Sequence, residues 1–520
     1  MSGSLSVIVA ALDPIETVGF SDREISQIEY DSRKVLPGCL FFAFEGLHAD
    51  GHEYIGKAAA SGAIAIVHDK PIAQFIQGIC YLRVADARLA MGPAARAFWN
   101  NPSDSLYVIG VTGTEGKSTT VSLIYQLLKL AGFRAGFFST VMSDTGAGEV
   151  PNPEHQTTPE ATSVQRMLAS MRDAGCQFAV VEASSHGLSE RTGRLADVTF
   201  DAGVMTNVTH EHLEFHGSWE NYRSDKANLF RRLGRKSALK KVPGLPIPLP
   251  AFGVVNIEDP SAGYFRSLTG EKVYGFSGSG SPADFSASRI EADRSGASFT
   301  ISGPAGFQSG ARIELPGAFN VANTLAALAV VWGATGVKLE FLVRLLPHLK
   351  PVRGRMMEIR AGQPFEVIID YAHTPSSFEA ILPSIRQRVS GRIFCLFGSG
   401  GERDTEKRPQ QGAIAARYCD VLVLADEDPR GEDSTRLLED IAAGCPGLIR
   451  GERLFIIPDR PAAIRRTFSM AEPGDTVLLL GKGHENSIIK KTGAEPYDEE
   501  AEALSALSEM GYSADNLTRS

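Results

Sequence analysis

The chain is poor in the features that mark several common protein classes. Its 520 residues include six cysteines (Cys39, Cys80, Cys176, Cys395, Cys419 and Cys445), scattered and without a CxxC pair. That pattern argues against a disulfide scaffold and suits a reducing compartment, where the thiols serve as small buried apolar groups. No apolar run approaches the ~20 residues that cross a bilayer, so no membrane span is expected. The opening stretch MSGSLSVIVAALDPIE lacks a basic cluster, which argues against a secretory leader and for a cytoplasmic protein. Basic charge is also scarce. A formal net charge of −9 speaks against an extended nucleic-acid face, and the basic run RRLGRKSALKK reads as a solvated surface.

What is present is an ordinary soluble composition, 43% hydrophobic and 22% charged, in a chain long enough for two to four domains. Three blocks are apparent. The first mixes strand-like runs (CLFFAF, GAIAIVHD, CYLRVAD) with alanine-rich helical stretches (YIGKAAASG, RLAMGPAARAFW) and closes at the turn-forming NNPSDS. The second alternates apolar runs (LYVIGVTG, FAVVEAS, FDAGVMTNV, AFGVVNI) with helical patterns, as a largely parallel, doubly wound sheet does. Within it, KKVPGLPIPLPAFG is too proline-rich for regular structure and reads as a surface loop. The third block repeats a strand running into a polar or glycine-rich loop: FEVIIDYAH, RIFCLFGSGG, DVLVLADEDP, RLFIIPD and DTVLLLGKGHE. This is a Rossmann-like α/β pattern, in which ligands sit at the carboxyl ends of the strands.

The most informative stretch is GVTGTEGKSTTVSLI, residues 110–124. An apolar strand, a glycine loop and a helix with Val121, Ile124, Leu127 and Leu128 at helical spacing follow in the order a phosphate loop needs. Glycines let main-chain N–H groups crowd around phosphate, and the helix N-terminus favours the negative charge. Lys117 can reach terminal phosphates, and the hydroxyl of Ser118 or Thr119 can ligate Mg²⁺. The spacing is one residue off the common pattern, which would place a glycine at Val111.

Two further stretches bear chemistry. Glu182 in VVEASSHGL ends an apolar run, either as a carboxylate holding Mg²⁺ opposite the loop hydroxyl or as an exposed acid opening a loop. His210, His212 and His216 lie within seven residues but fail the His-Glu-x-x-His pattern of zinc proteases. They read as polar ligands near a phosphate site or as surface histidines.

Taken together, GTEGKST, EASSHGL, HEHLEFHG with DKAN, LPGAFNVANTLAA, PVRGRMM and DYAHTP resemble, in order, the motifs of the Mur ligases. These ATP-dependent amide-forming enzymes build the peptide stem of peptidoglycan, and their nucleotide loop reads Gly-Thr-x-Gly-Lys-Ser/Thr. The resemblance implies three α/β domains: a small N-terminal uridine-nucleotide domain over residues 1–103, a central P-loop-like ATPase domain with a mostly parallel sheet over 104–348, and a C-terminal Rossmann-like domain over 349–520. It implies transfer of the ATP γ-phosphate to a substrate carboxylate, followed by attack of an amine on the acyl phosphate. By the same resemblance, Gly113, Thr114, Glu115, Gly116, Lys117, Ser118 and Thr119 cradle the phosphates, and Ser118, Glu182 and His212 ligate Mg²⁺. Lys226 occupies the position of a carbamylated, metal-binding lysine; without the family it reads as a solvated helix lysine. Asn323, Arg355, Asp370 and His373 would contact the nucleotide, with closure of the domains around ATP. Glu115 departs from the family's usual Asn and puts a carboxylate beside the phosphates.

The first block narrows the resemblance to the member that adds the third stem residue. Ser32 in YDSRK, with Leu47, His48 and Ala49, matches contacts to a UDP-sugar, and Thr157, Thr158 and Ser184 match a muramoyl-peptide site. An extra stretch in SERTGRL leaves both Arg191 and Arg194 as candidates for the same site. In the third block EDPR, Glu427, Asp428, Pro429 and Arg430, stands where diaminopimelate-adding enzymes carry Asp-Asn-Pro-Arg, flanked by Arg403, Gly481 and Glu485. Arg430 can form a bidentate pair with a distal carboxylate, which lysine and ornithine lack. Asp428 adds negative charge there, so meso-diaminopimelate is favoured while ornithine and lysine stay open. The substrates implied are ATP, a UDP-N-acetylmuramoyl dipeptide and a free diamino acid, with the chain acting as a monomer. The alternatives are another ligase on the same scaffold and a nucleotide-switch regulatory protein that hydrolyses ATP without an acceptor amine.

Overall fold

Apolar runs become strands wherever they are short, β-branched and bounded by turn residues. The computed structural model describes residues 3–46, 49–152, 156–209, 213–237, 239–293 and 295–513. By internal contacts the chain divides into two units. One comprises Met1–Ser277, Ala283–Phe285 and Ala326–Leu342; the other comprises Gly278–Pro282, Ser286–Leu325 and Val343–Ser520.

The first unit opens with a sheet in the order Glu16–Val18, Cys80–Arg83, Ala63–His68, Cys39–Ala43, Gln27–Glu29. All its pairs are parallel except the edge pair of Glu16–Val18 with Cys80–Arg83. Leu5, Ile8, Leu40, Phe42, Val67, Leu82, Met91 and Phe98 form the core beneath it. The expected strands and the helix in RLAMGPAARAFW, observed over Ala87–Phe98, are all present.

The central sheet follows with parallel strands in the order Ala135–Phe138, Phe178–Glu182, Tyr107–Thr112, Ala202–Met205, Phe252–Asn256, Lys272–Ser277. Every residue of Tyr107–Thr112 and of Phe178–Glu182 is buried, as expected of strands covered on both faces. Each fully buried Val or Ile there contributes roughly 1.5–3 kcal/mol of apolar burial. The proline-rich stretch is more ordered than its composition suggests. Leu239–Lys240 pairs antiparallel with Leu249–Pro250, and the Tyr107 hydroxyl donates to the Pro250 carbonyl at 2.5 Å. A buried hydroxyl needing an acceptor and a short edge pairing tolerate the proline that a central strand would not.

The second unit contains, from Ser286 onward, an antiparallel pair of ladders joining the strand Phe285–Ala292 to Ala297–Ser302 and that strand to Gln308–Ile313. It also holds a six-stranded sheet in the order Met357–Ile359, Glu366–Asp370, Thr476–Leu480, Ile393–Phe397, Val421–Leu424, Leu454–Ile456. Only the Met357–Ile359 edge is antiparallel. Helices Pro375–Arg388, Lys407–Tyr418 and Ser434–Ala442 contribute to one core cluster, and Arg460–Met470 with Glu499–Glu509 to another, the clusters sharing out the residues of the sheet's strands. All six cysteines are unbridged, and five are buried.

Candidate functional site

The phosphate loop leaves the strand Tyr107–Thr112 and enters the helix Lys117–Leu130. Gly113 has φ +154°, and a Cβ there would lie 1.8 Å from Thr206 Oγ1. Gly116 caps the helix at φ 82°, a left-handed conformation suited to glycine. The loop is braced from the adjoining strand end. Asn207 Oδ1 accepts from the amides of Thr114 (3.1 Å) and Glu115 (2.8 Å), while its Nδ2 donates to the Glu115 carbonyl at 3.2 Å. Thr206 Oγ1 donates to the same carbonyl at 2.6 Å. The main chain of Glu115 makes these bonds, so its departure from asparagine leaves the brace intact. Lys117 Nζ folds onto the Thr114 carbonyl at 2.7 Å, and Thr119 is half-buried on the first helical turn.

Beside the loop, Ser118 Oγ donates to Glu182 Oε1 at 3.1 Å. Glu182 is 1% exposed, which overturns the reading as a solvent-facing acid. Its other partners are the amide and hydroxyl of Thr140, at 2.8 and 3.0 Å. Lys226 is 1% exposed, not solvated; its Nζ donates to the Gly113 carbonyl at 2.5 Å and lies 4.4 Å from the centre of the Tyr222 ring. His216 is buried as well, with Nδ1 2.7 Å from Asp225 and Nε2 3.0 Å from Ser185 Oγ, so it is not a surface histidine. His210 and His212 lie outside the described residues. A hydroxyl and one carboxylate at hydrogen-bond distance are hard oxygen donors of the kind Mg²⁺ takes together with substrate phosphates. No group of three or more His, Cys, Asp or Glu side chains able to hold a metal ion occurs among the described residues.

The candidate muramoyl-peptide residues gather around Glu182, through its main-chain carbonyl and through Thr140. Thr157 Oγ1 lies 3.0 Å from Thr140 Oγ1, and Thr158 Oγ1 donates to the Glu182 carbonyl at 2.9 Å while receiving the Ser184 amide and hydroxyl. Arg194 donates to the Thr158 carbonyl at 3.0 Å and pairs with Glu160 at 2.7 Å. Arg191 is exposed, stacks 4.2 Å above Phe215 and donates to that residue's carbonyl. The structure thus joins Arg194, not Arg191, to the threonine pair. In the first sheet Ser32 is 8% exposed and the Ala49 carbonyl accepts the Gly46 amide at 2.9 Å; Leu47 and His48 lie outside the described residues. The basic run is partly built into the fold: Lys236 pairs with Asp104, Lys240 with Asp201, and Arg232 is buried.

In the second unit, Asn323 is buried on its helix and donates to Asn320 Oδ1 at 3.1 Å. Burial raises the Asp370 carboxyl, against the opposing pull of Arg355 and of the Met356 and Ala372 amides, each 2.7 Å away. Arg355 stacks 4.8 Å from the Tyr371 ring centre, and His373 Nδ1 contacts the Tyr371 carbonyl at 2.8 Å.

The strands Val421–Leu424 and Thr476–Leu480 deliver EDPR and GKGHE at their carboxyl ends. Lys482, fully buried, lies 2.9 Å from Asp428 Oδ1 and 2.5 Å from Glu485 Oε2. Burial alone would lower its ammonium, but Glu485 and Asp428 hold it above its ordinary value. The charge introduced at Asp428 is therefore neutralised within the fold. Glu427 is buried behind Gly481, its carboxyl raised by burial against Lys407 and Lys482. Arg430 has φ +54° and its amide donates to the Ile489 carbonyl at 2.9 Å, while Pro429 is buried and Arg403 exposed.

Three family models match the chain in order: a Mur ligase catalytic domain over residues 24–98, a Mur ligase middle domain over 111–331, and a Mur ligase glutamate ligase domain over 354–483. A UDP-N-acetylmuramyl-tripeptide synthetase of Treponema denticola is 51% identical, covering 97% of this chain and 98% of its own. The chain belongs to the Mur ligase family. A second Mur ligase, the UDP-N-acetylmuramoyl-L-alanyl-D-glutamate–2,6-diaminopimelate ligase of Geobacillus kaustophilus, is 37% identical over 94% of this chain and 96% of its own. A solved structure of a ligase with that name superposes with a TM-score of 0.64 at 28% identity, covering 99% and 100% of the two chains. The three-domain α/β architecture is that of Mur ligases. No helix among the described residues is long and apolar enough to cross a membrane.

Motif reading of the Mur ligase pattern passed over Thr140, Asn207 and Lys482. Asn207 had a usable signal, a side chain able to donate and accept at the end of a buried strand next to a short glycine loop. Thr140 had none, because Glu182 is 42 residues away, and nothing local to Lys482 announced its pairing with Asp428, 54 residues away.

Proposed function

We propose that the chain is an ATP-dependent ligase that adds a diamino acid, with meso-diaminopimelate favoured, to UDP-N-acetylmuramoyl-L-alanyl-D-glutamate in peptidoglycan synthesis. The observation that carries the reading is the Ser118 hydroxyl 3.1 Å from the buried Glu182 carboxylate at the phosphate loop. A carboxylate is a poor electrophile, and phosphorylation by ATP supplies its leaving group; the amine then displaces phosphate through a tetrahedral intermediate. Loop amides and Lys117 would hold the phosphates, and Thr157, Thr158, Ser184 and Arg194 the muramoyl peptide. Ser32, Leu47, His48 and Ala49 would hold the uridine nucleotide, and Asn323, Arg355, Asp370 and His373 the rest of ATP. We assign these roles to domains spanning 1–103, 104–348 and 349–520.

Ser118 and Glu182 would hold Mg²⁺ together with His212 and Lys226, the lysine after its neutral amine adds CO₂ and releases a proton. Bound Mg²⁺ would neutralise the two anions that must meet. Arg430 and Arg403 would take the carboxylates of the amino acid, with Gly481 and Glu485 lining the same loops. The Geobacillus relative's name supports diaminopimelate, whereas that of the Treponema relative names no amino acid.

Phosphate release is measured with ATP, Mg²⁺ and the UDP-muramoyl dipeptide, adding meso-diaminopimelate, lysine or ornithine separately. Release only with diaminopimelate, lost in Arg430→Ala, is expected. Turnover with ornithine or lysine keeps the ligase and removes the assignment of Arg430. Phosphate release indifferent to any amine would favour a nucleotide switch.

A further inference from the structure

The two loops that carry EDPR and GKGHE follow strands that are not neighbours, because Ile393–Phe397 lies between them. Ladder hydrogen bonds between these strands therefore do not set the spacing of the loops directly. Lys482 pairs with Asp428 across the two loops at 2.9 Å, and a second side chain joins the residues that lead into them. Arg460, with a fully buried side chain, donates from Nη1 to the Asp426 carbonyl at 3.2 Å and from Nη2 to the Leu480 carbonyl at 2.8 Å. These two residues immediately precede the two loops. The other edge of the guanidinium grips Glu499, with Nε 2.8 Å from Oε2 and Nη2 2.6 Å from Oε1. The Tyr497 hydroxyl donates to Glu499 Oε2 at 2.5 Å, and the Tyr497 amide to the Asn486 carbonyl at 2.9 Å, just past the second loop. Arg353 adds pairs to Asp498 (2.7 Å) and Glu500 (3.3 Å). A planar guanidinium with fixed donor directions holds two carbonyls at a set separation, which a flexible ammonium cannot do.

We propose that the segment Tyr497–Glu500 acts through Arg460 as a strap that fixes the spacing of the EDPR and GKGHE loops and so sets affinity for the amino acid. The inference rests on the amino-acid site proposed above. Arg460 and Glu499 are positioning residues, since each reaches the site through main chain of the loops. The strap explains why a fully buried ion pair stands at the carboxyl edge of this sheet, where an apolar pair would pack as well.

The test uses the full chain with Glu499→Gln, which keeps the shape but removes the charge, and Tyr497→Phe, which deletes one donor to Glu499. In Glu499→Gln the KM for the amino acid is expected to rise about tenfold or more, as loop misplacement does. Tyr497→Phe should raise it less, and the KM values for ATP and the UDP-muramoyl dipeptide should hold. Hydrogen–deuterium exchange on the same proteins reads the strap without turnover: faster at 426–430 and 480–485, unchanged at 110–118. Equal rises in all three KM values, or unaltered exchange in both loops, overturns the proposal. If Glu499→Gln does not fold, Tyr497→Phe decides by the same two readouts. A wild-type chain without amino-acid-dependent turnover, whose variants still exchange faster in both loops, would sink the ligase reading and retain the strap.

Discussion

At the scale of single residues, the buried ammonium of Lys482 does the most with the least sequence signal. It compensates Asp428 and Glu485 at once, next to the buried Glu427. Lys482→Met is expected to destabilise the protein by about 3–5 kcal/mol, because it leaves buried carboxylates without a counter-charge. Adding Asp428→Asn should recover part of that loss in urea unfolding. A double variant as unstable as the single one would show that the pairing is not the cause. Lys117 and Ser118 were legible in the sequence because strand, loop and helix make one local pattern, whereas Glu182 read equally as a metal ligand or an exposed acid until its burial decided against the second. The Lys482–Asp428 and Arg460–Glu499 pairs were not legible, since their members lie 54 and 39 residues apart and only the fold brings them together. The reverse error occurred with Lys226, where a polar helical context suggests solvent and packing against Tyr222 and the loop buries it.

At the scale of elements, strands were read more surely than their connections. The runs FAVVE and VLVL are strands because four or five consecutive apolar or β-branched residues suit a covered parallel sheet. The proline-rich stretch misled because composition disfavours ladders in general, yet a two-residue edge pairing needs few amide donors. The phosphate loop makes the sharpest element-level prediction. Gly113→Ala would push a methyl group to within 1.8 Å of Thr206 Oγ1, on a backbone with φ +154°. Strain and overpacking together should cost about 1–3 kcal/mol. ATP binding, followed by titration calorimetry, should weaken in parallel; an unchanged ATP affinity would mean that the close approach is not needed for the loop's shape.

At the scale of the whole molecule, acid should weaken the second unit through His484. Burial, then the charges of Arg355 and Lys482, lower its imidazole from 6.5 to about 3. The unfolded chain takes up this proton below pH 6.5 while the folded chain refuses it, so stability is intact above pH 6.5 and falls as pH drops toward 3. Urea midpoints measured between neutral pH and pH 5 should decline, and His484→Gln should flatten the decline. An equal slope in the variant would assign the effect to other groups. A different consequence follows from Asn207, whose one amide group stitches both faces of the phosphate loop to the end of the Ala202–Met205 strand. The loop and that strand end are held together by these bonds and by Thr206. A chimera that imports the seven residues of a foreign nucleotide loop without its matching Thr-Asn pair would carry the right glycines in a cradle with no floor.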